Sequence, residues 1–84
     1  MVKAYVLVST KPGTSEDVTA YLKAAKGLKG VVAADSVFGR YDAIITVEVR
    51  DLEELSQLIY RVIEKIPNVI RTETCIVLVS GDSV

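Results

Sequence analysis

The sequence contains no histidine and only one cysteine, Cys75. A single cysteine excludes an internal disulfide framework. A metal centre and a bound cofactor are not expected, because there is no Cys-x-x-Cys pair and no histidine to act as a ligand. Since no histidine is available to activate the thiol, we predict that Cys75 is a small buried side chain within an apolar strand and not a nucleophile.

Excess basic charge and long hydrophobic runs are missing as well. The formal net charge is −1 at pH 7, which argues against a basic surface that binds nucleic acid. No apolar stretch approaches the roughly 20 residues that a membrane span requires. The chain enters a strand-like segment directly after Met1, so we expect no signal peptide and predict a cytoplasmic protein. With 84 residues, 50% of them hydrophobic, the chain is one small domain whose surface is expected to meet a partner chain.

The spacing of apolar residues predicts six elements in the order β-α-β-β-α-β. Strands are predicted over residues 2–9, 31–38, 43–50 and 69–80. The first helix is predicted to begin at a cap formed by Thr14 or Ser15 and to end at Gly27 or Gly30. Its buried face is formed by apolar residues at helical spacing, namely Val18, Tyr21, Leu22, Ala25 and Leu28.

The second helix has the strongest helical periodicity in the chain. Asp51 and Glu54 form an Asp-x-x-Glu variant of the capping box at its start, and Pro67 is predicted to stop it. Its buried face is predicted to comprise Leu52, Leu55, Ile59, Val62, Ile63 and Ile66.

This order of elements predicts an α+β fold of the ferredoxin-like type. Two right-handed β-α-β units place both helices on one face of a four-stranded antiparallel sheet. The first strand is apolar on both faces and is predicted to be central, whereas the mixed second strand suits an edge. Apolar residues on the first strand and at residues 76–79 indicate that the face without helices is also covered. We therefore predict a homodimer of the dimeric α+β barrel type, in which two sheets pack face to face.

The hairpin between the second and third strands concentrates polar and aromatic residues in a short turn. Gly39 can take a positive φ, and Asp42 can bind nearby backbone N–H groups. The same aspartate is a suitable acceptor for a ligand's ammonium group, since a charge-assisted hydrogen bond is about twice as strong as a neutral one. The turn residues alone leave two interpretations open, a stabilising aspartate or a small-molecule site.

Three spaced motifs extend over the second half of the chain: Val37-x-Gly39-x-Tyr41-Asp42, Asp51-x-x-Glu54-Leu55 and Ile66-x-x-Val69-x-x-Thr72-x-Thr74. Together they resemble the C-terminal effector domain of the Lrp/AsnC (feast/famine) transcription regulators, known as the RAM domain. The resemblance covers essentially all of residues 1–84. It implies an amino-acid-sensing module and not an enzyme. It also implies that chains dimerise through their sheets, that the dimers join into octameric or decameric rings, and that amino acids bind between dimers.

The resemblance further implies which residues bind the ligand. They are Gly39, Arg40, Tyr41, Asp42, Thr72 and Thr74. Asp42 would receive the ammonium group, and backbone N–H groups around Gly39 would hold the carboxylate with help from Arg40. The two threonines on the last strand would offer hydroxyl groups. Tyr41 is expected to stack on the ligand or to pack at a subunit contact.

One departure from the family concerns DNA. Full-length members carry an N-terminal helix-turn-helix, and nothing before Val2 could supply it. We therefore expect a free-standing effector domain that does not bind DNA directly and that regulates through co-assembly with full-length relatives.

Three other functions are alternatives. The first is a small dimeric monooxygenase or isomerase, in which Tyr41 and Asp42 move protons, although the missing histidine argues against it. The second is RNA binding through the sheet, against which the charge and the missing glycine-aromatic signature argue. The third is a plain oligomerisation partner without a ligand.

Overall fold

The structure, a computed structural model, describes residues 1–24 and 29–79. Its elements follow the predicted order, and a single 3-10 turn precedes the last strand. Their bounds are β1 Val2–Thr10, α1 Ser15–Ala24, β2 Val31–Ser36, β3 Ala43–Val49, α2 Leu52–Arg61, the 3-10 turn Ile63–Lys65 and β4 Val69–Ile76. The predicted helix-face residues Ala25 and Leu28, the helix end at Gly27 and the strand end at Ser80 lie outside the described residues.

The four strands form one antiparallel sheet in the order β2-β3-β1-β4. Leu7 on β1 pairs with Ile44 on β3 and with Glu73 on β4. β1 is therefore central and β2 lies at an edge, as their apolar patterns predicted. This arrangement, with both helices on one face, confirms the ferredoxin-like fold class.

One hydrophobic core lies between the sheet and the two helices. On the central strands, side chains alternate between the two faces of the sheet. The helix-facing set is fully buried and consists of Ala4, Val6, Val8, Ala43, Ile45 and Val47. The helices and the 3-10 turn cover it with Val18, Leu22, Leu55, Leu58, Ile59 and Ile63. Because burial of each large aliphatic side chain is worth about 1.5–3 kcal/mol, this layer holds both helices on the same face.

The ends of α2 differ from the prediction in two respects. Asp51 caps the helix, because its Oδ1 accepts the Glu54 N–H at 2.8 Å. The reciprocal half of the predicted capping box is not formed, since the Glu54 carboxylate pairs with Arg50 Nε at 2.9 Å instead. The helix ends at Arg61, before Pro67, because the chain tightens into the 3-10 turn. Within the described ranges, no helix has both the length and the apolar character needed to cross a membrane.

The end of β4 also departs from the prediction, which extended the strand to residue 80. The Val77 N–H donates to the Lys3 carbonyl at 2.9 Å, and β1 begins only one residue before Lys3, so no partner strand remains beyond this point. Cys75 is exposed and not buried as predicted. The reason is that its register partner Tyr5 lies on the face of the sheet that carries no helices.

That helix-free side of the sheet, which we call the open face, has an apolar centre and a charged rim. The register sets four central residues side by side on β1 and β3, namely Tyr5, Leu7, Ile44 and Thr46. The rim is formed by Lys3, Asp35, Glu48, Arg71 and Glu73. Of the apolar residues 76–79 that were predicted to cover this face, Ile76 does not do so, since it pairs with the buried Ala4 and lies on the helix side.

Candidate ligand-binding site

The turn between β2 and β3 is closed by the Val37 N–H, which donates to the Asp42 carbonyl at 3.0 Å. The residues between them, 38–41, form what we call the hairpin tip. Gly39 could take a positive φ but does not adopt one. A Cβ at Gly39 would meet nothing within 4 Å. The backbone of the tip is therefore open to a ligand.

Asp42 binds the end of β1. Its Oδ2 accepts the backbone N–H of Thr10 at 2.8 Å and the Thr10 hydroxyl at 3.3 Å. Thr10 is only 6% exposed, so the carboxylate satisfies a donor that water cannot reach. Within residues 1–24 and 29–79, no hydrogen bond reaches Asp42 Oδ1, and no buried side-chain oxygen or nitrogen lacks a partner. Oδ1 is therefore not a buried atom and is available to a ligand.

Tyr41 crosses the open face from the hairpin tip to β4. Its hydroxyl donates a hydrogen bond to Glu73 Oε2, and the Arg40 guanidinium lies 5.9 Å from the centroid of its ring. The bond to Glu73 raises the pKa of Tyr41 above its ordinary value of 10.0, because ionisation would break the bond and place a second negative charge beside the carboxylate. Tyr41 is therefore a protonated donor at neutral pH.

Replacing Glu73 by glutamine is expected to lower the pKa of Tyr41 toward 10.0. Since the pKa is higher in the folded chain, the bond contributes fully to stability below about pH 10, and this contribution is lost as pH rises through the raised pKa. An ultraviolet titration of the four tyrosines measures the change. Glu64→Gln is the control, because Glu64 bonds to Thr72 and not to Tyr41. Identical curves for the wild-type chain and Glu73→Gln would contradict the bond.

Phe38 at the hairpin tip is fully exposed. Neither the sheet nor a helix can cover it, because it lies beyond the ends of both strands of the hairpin. An exposed phenylalanine beside a cation such as Arg40 suits contact with another chain, since aromatic residues and arginine are enriched in protein interfaces. The sequence analysis did not single out Phe38, although its place in the turn was a usable signal.

Thr72 and Thr74 lie on the helix side of the sheet. They pair across the β1–β4 ladder with the buried Val8 and Val6, and they line a groove of about 410 Å³ between α2 and β4. The groove's apolar walls are formed by Leu52, Leu55, Ile59, Tyr60 and Ile76. Glu64 lines the same groove and accepts the Thr72 hydroxyl at 3.1 Å.

Leu52, which was predicted to be buried, is 59% exposed at the rim of this α2–β4 groove. It is the first residue of α2, and its side chain lies outside the hydrophobic core. The groove therefore keeps an apolar rim that a partner molecule can cover.

A single chain does not bring the six predicted site residues together. Gly39, Arg40, Tyr41 and Asp42 lie around the hairpin tip, whereas the two threonines lie across β1 in the groove. The internal partners of these residues, Thr10, Glu64 and Glu73, were not predicted, because the folded chain and not a local sequence pattern brings each pair together.

The two groups together suit a small zwitterion. Acceptors are the free Oδ1 of Asp42 and the carboxylate of Glu64, and donors are the Arg40 guanidinium and the tip backbone. In the part of the chain that the structure describes, no three side chains of the metal-ligating types cluster together.

The family model described as the Lrp/AsnC ligand binding domain matches residues 3–80. The chain belongs to the Lrp/AsnC ligand-binding domain family. The match includes both the hairpin tip and the groove, and it confirms the resemblance carried by the sequence motifs. A search of curated proteins found no match for this Lrp/AsnC domain.

Solved structures share the fold of this Lrp/AsnC domain. A hypothetical protein from Pyrococcus horikoshii is 34% identical with a TM-score of 0.80, and the alignment covers 96% of this chain and 94% of that one. FFRP-DM1 is 36% identical with a TM-score of 0.81, covering 93% and 100%. A feast or famine regulatory protein from M. tuberculosis, solved with L-methionine, is 27% identical with a TM-score of 0.77, covering 96% and 52%. The chain thus spans about half of that regulator.

Proposed function

We propose that this domain is an amino-acid sensor that binds a free amino acid between copies of the chain and thereby modulates their assembly. The observation that carries the proposal is the geometry of Asp42, whose Oδ2 is held by Thr10 while Oδ1 accepts no hydrogen bond from the described residues and is not buried. The family match over residues 3–80 supports ligand binding as the task. The methionine complex of the related M. tuberculosis protein supports an α-amino acid as the ligand class.

The proposed roles follow from the charges of an α-amino acid. Its ammonium group donates to Asp42 Oδ1 in a charge-assisted hydrogen bond. Its carboxylate accepts from backbone N–H groups at Gly39, where no side chain obstructs the approach, with Arg40 nearby. Its side chain enters the α2–β4 groove of a second copy, where Thr72 and Thr74 offer hydroxyls beside apolar walls.

We propose that the open face forms a homodimer by packing against the same face of a second copy. Its apolar centre and charged rim have the layout of a protein interface. The two central aliphatic residues, Leu7 and Ile44, remain partly exposed in a single chain, and a second sheet would remove them from water.

Rings of such dimers, octamers or decamers, are the proposed higher assembly. The hairpin tip presents the exposed Phe38 and the cationic Arg40, and the α2–β4 groove presents apolar walls and the acidic Glu64. Contacts between two different patches generate closed rings when the rotation between copies allows closure. The amino acid shifts the assembly because it binds the assembled form better than the separate dimers.

We propose that the domain does not contact DNA itself, because its net charge of −1 provides no basic surface. It would regulate transcription through co-assembly with full-length Lrp/AsnC regulators. Catalysis is not part of the proposal, since the phenol of Tyr41 is tied to Glu73 and protonated at neutral pH, which makes it a poor general base.

A thermal-shift panel of the standard amino acids tests the sensing function. At about one hundred times its Kd, a ligand stabilises the folded state by about 2.7 kcal/mol, which corresponds to a rise in Tm of roughly 10–20 °C in a domain of this size. We expect one amino acid or a chemically related group to give such a shift. The matched controls are its α-hydroxy acid and its decarboxylated amine, which each lack one of the two charged groups. A flat response across the panel would refute amino-acid sensing.

A further inference from the structure

Thr10 is the last residue of β1. The pairing of β1 with β4 changes register between Ser9 and Thr10. On the other side of β1, the Asp42 N–H donates to the Val8 carbonyl at 2.9 Å. This bond places Asp42 beside the end of β1, where it meets Thr10 although the two residues are 32 positions apart.

Two donors of Thr10 converge on a single oxygen. The backbone N–H reaches Asp42 Oδ2 at 2.8 Å and the hydroxyl reaches it at 3.3 Å. A carboxylate with one oxygen fixed in this way cannot rotate freely about its Cβ–Cγ bond. Oδ1, which accepts no hydrogen bond from the described residues, is thereby held in one orientation.

We propose that Thr10 is a positioning residue for amino-acid recognition, in that its hydroxyl orients the Asp42 carboxylate so that Oδ1 meets the ligand's ammonium group. The inference rests on the proposed sensing function and adds the residue that makes the site selective for an α-ammonium group. An acceptor that is ordered before binding loses less conformational freedom when the ligand arrives, and this raises affinity. The gain in affinity is larger for a charged ligand group, because an ammonium group binds an oriented carboxylate more strongly than a neutral α-hydroxyl group does.

The threonine hydroxyl can be removed without changing the size of the side chain. Thr10→Val keeps the backbone N–H bond and the buried volume but loses the hydroxyl bond, whereas Thr10→Ser keeps the hydroxyl. A role limited to stability would change the unfolding midpoint of the free chain and leave ligand selectivity unaltered. A positioning role changes the preference for an ammonium ligand over its hydroxyl analogue.

Calorimetric titrations measure this preference. The probes are the amino acid with the largest shift in the panel and its α-hydroxy acid analogue, titrated into the wild-type chain, Thr10→Val and Thr10→Ser. We expect Thr10→Val to bind the amino acid about fivefold more weakly, with little change for the hydroxy acid, so that selectivity falls by a similar factor. Thr10→Ser is expected to retain the wild-type ratio.

The other possible outcomes would each overturn the positioning role of Thr10, the sensing function, or both. An unchanged ratio in Thr10→Val, or an equal loss in Thr10→Val and Thr10→Ser, overturns the positioning role while leaving amino-acid sensing intact. Absence of amino-acid binding by the wild-type chain overturns both. If Thr10→Val does not fold, Thr10→Ala takes its place with the same expected loss of selectivity, and retained selectivity in that variant refutes the inference.

Discussion

Ile44→Lys is expected to convert the proposed homodimer into folded monomers. Ile44 lies at the centre of the open face, beside Leu7 on β1 and Asp35 on β2. In a single chain the new ammonium group would stay in water. In a sheet-to-sheet dimer it would be buried in each of the two copies. Burial of a charge without a partner costs several kcal/mol per ion, and each 1.4 kcal/mol is about tenfold in Kd, so the dimer should weaken by at least about a hundredfold.

Light scattering at low micromolar concentration measures this change. Gln57→Lys is the matched control, because it adds the same charge to an exposed position on α2, on the other side of the sheet. Circular dichroism shows whether each variant is folded. The sheet-to-sheet interface would be wrong if Ile44→Lys remained a dimer, or if the wild-type chain were already a stable folded monomer.

The order of elements and the fold class could be predicted because they depend on local patterns. The alternation along β1 and the helical spacing of α2 are each visible within about ten residues of sequence. Asp51 could be identified as a helix cap for the same reason, since its partner Glu54 lies three positions away. The edge position of β2 followed from its mixed composition.

The errors arose where strand register decides the outcome. A Thr-x-Thr spacing shows that Thr72 and Thr74 share one face of β4, but only the pairing of Thr72 with Val8 shows that this face carries the helices. The same register places Cys75 opposite Tyr5 on the open face. Register follows from contacts between distant parts of the chain, and one sequence does not contain that information.

Of the two residues that form the Asp42 contact, only the aspartate could be identified from the sequence. Asp42 was identified as an acceptor from its place in the turn. Its actual partner, Thr10, is 32 positions away and meets it because β1 and β3 pair in the sheet. The sequence therefore left open whether this aspartate only stabilises the turn or also forms part of a ligand site. In the structure one carboxylate oxygen binds Thr10 and the other accepts no hydrogen bond from the described residues, so a structural role and a ligand role are compatible.

Substitutions of Asp42 should separate these two roles. Asp42→Ala removes the acceptor of the buried Thr10 N–H, and an unsatisfied buried donor costs about 1–3 kcal/mol. We expect both a lower free energy of unfolding and loss of the amino-acid response. Asp42→Asn retains an amide oxygen that can accept from Thr10 but has no charge for the ligand. Its stability should stay close to that of the wild-type chain, while the Kd for the amino acid rises by roughly 10- to 150-fold, the equivalent of about 1.5–3 kcal/mol.

Urea denaturation and calorimetric titration of the same samples measure the two quantities independently. Asp17→Ala is the control, since it removes the same charge from an exposed position on α1, away from the open face, and should leave ligand affinity unchanged. If Asp42→Asn bound the amino acid as tightly as the wild-type chain, the aspartate would be a structural residue only, and recognition would have to occur elsewhere. If Asp42→Ala were as stable as the wild-type chain, the bond to Thr10 would not be needed for the fold. Only loss of stability in the alanine variant together with loss of affinity in both variants agrees with a carboxylate that uses one oxygen for the fold and the other for the ligand.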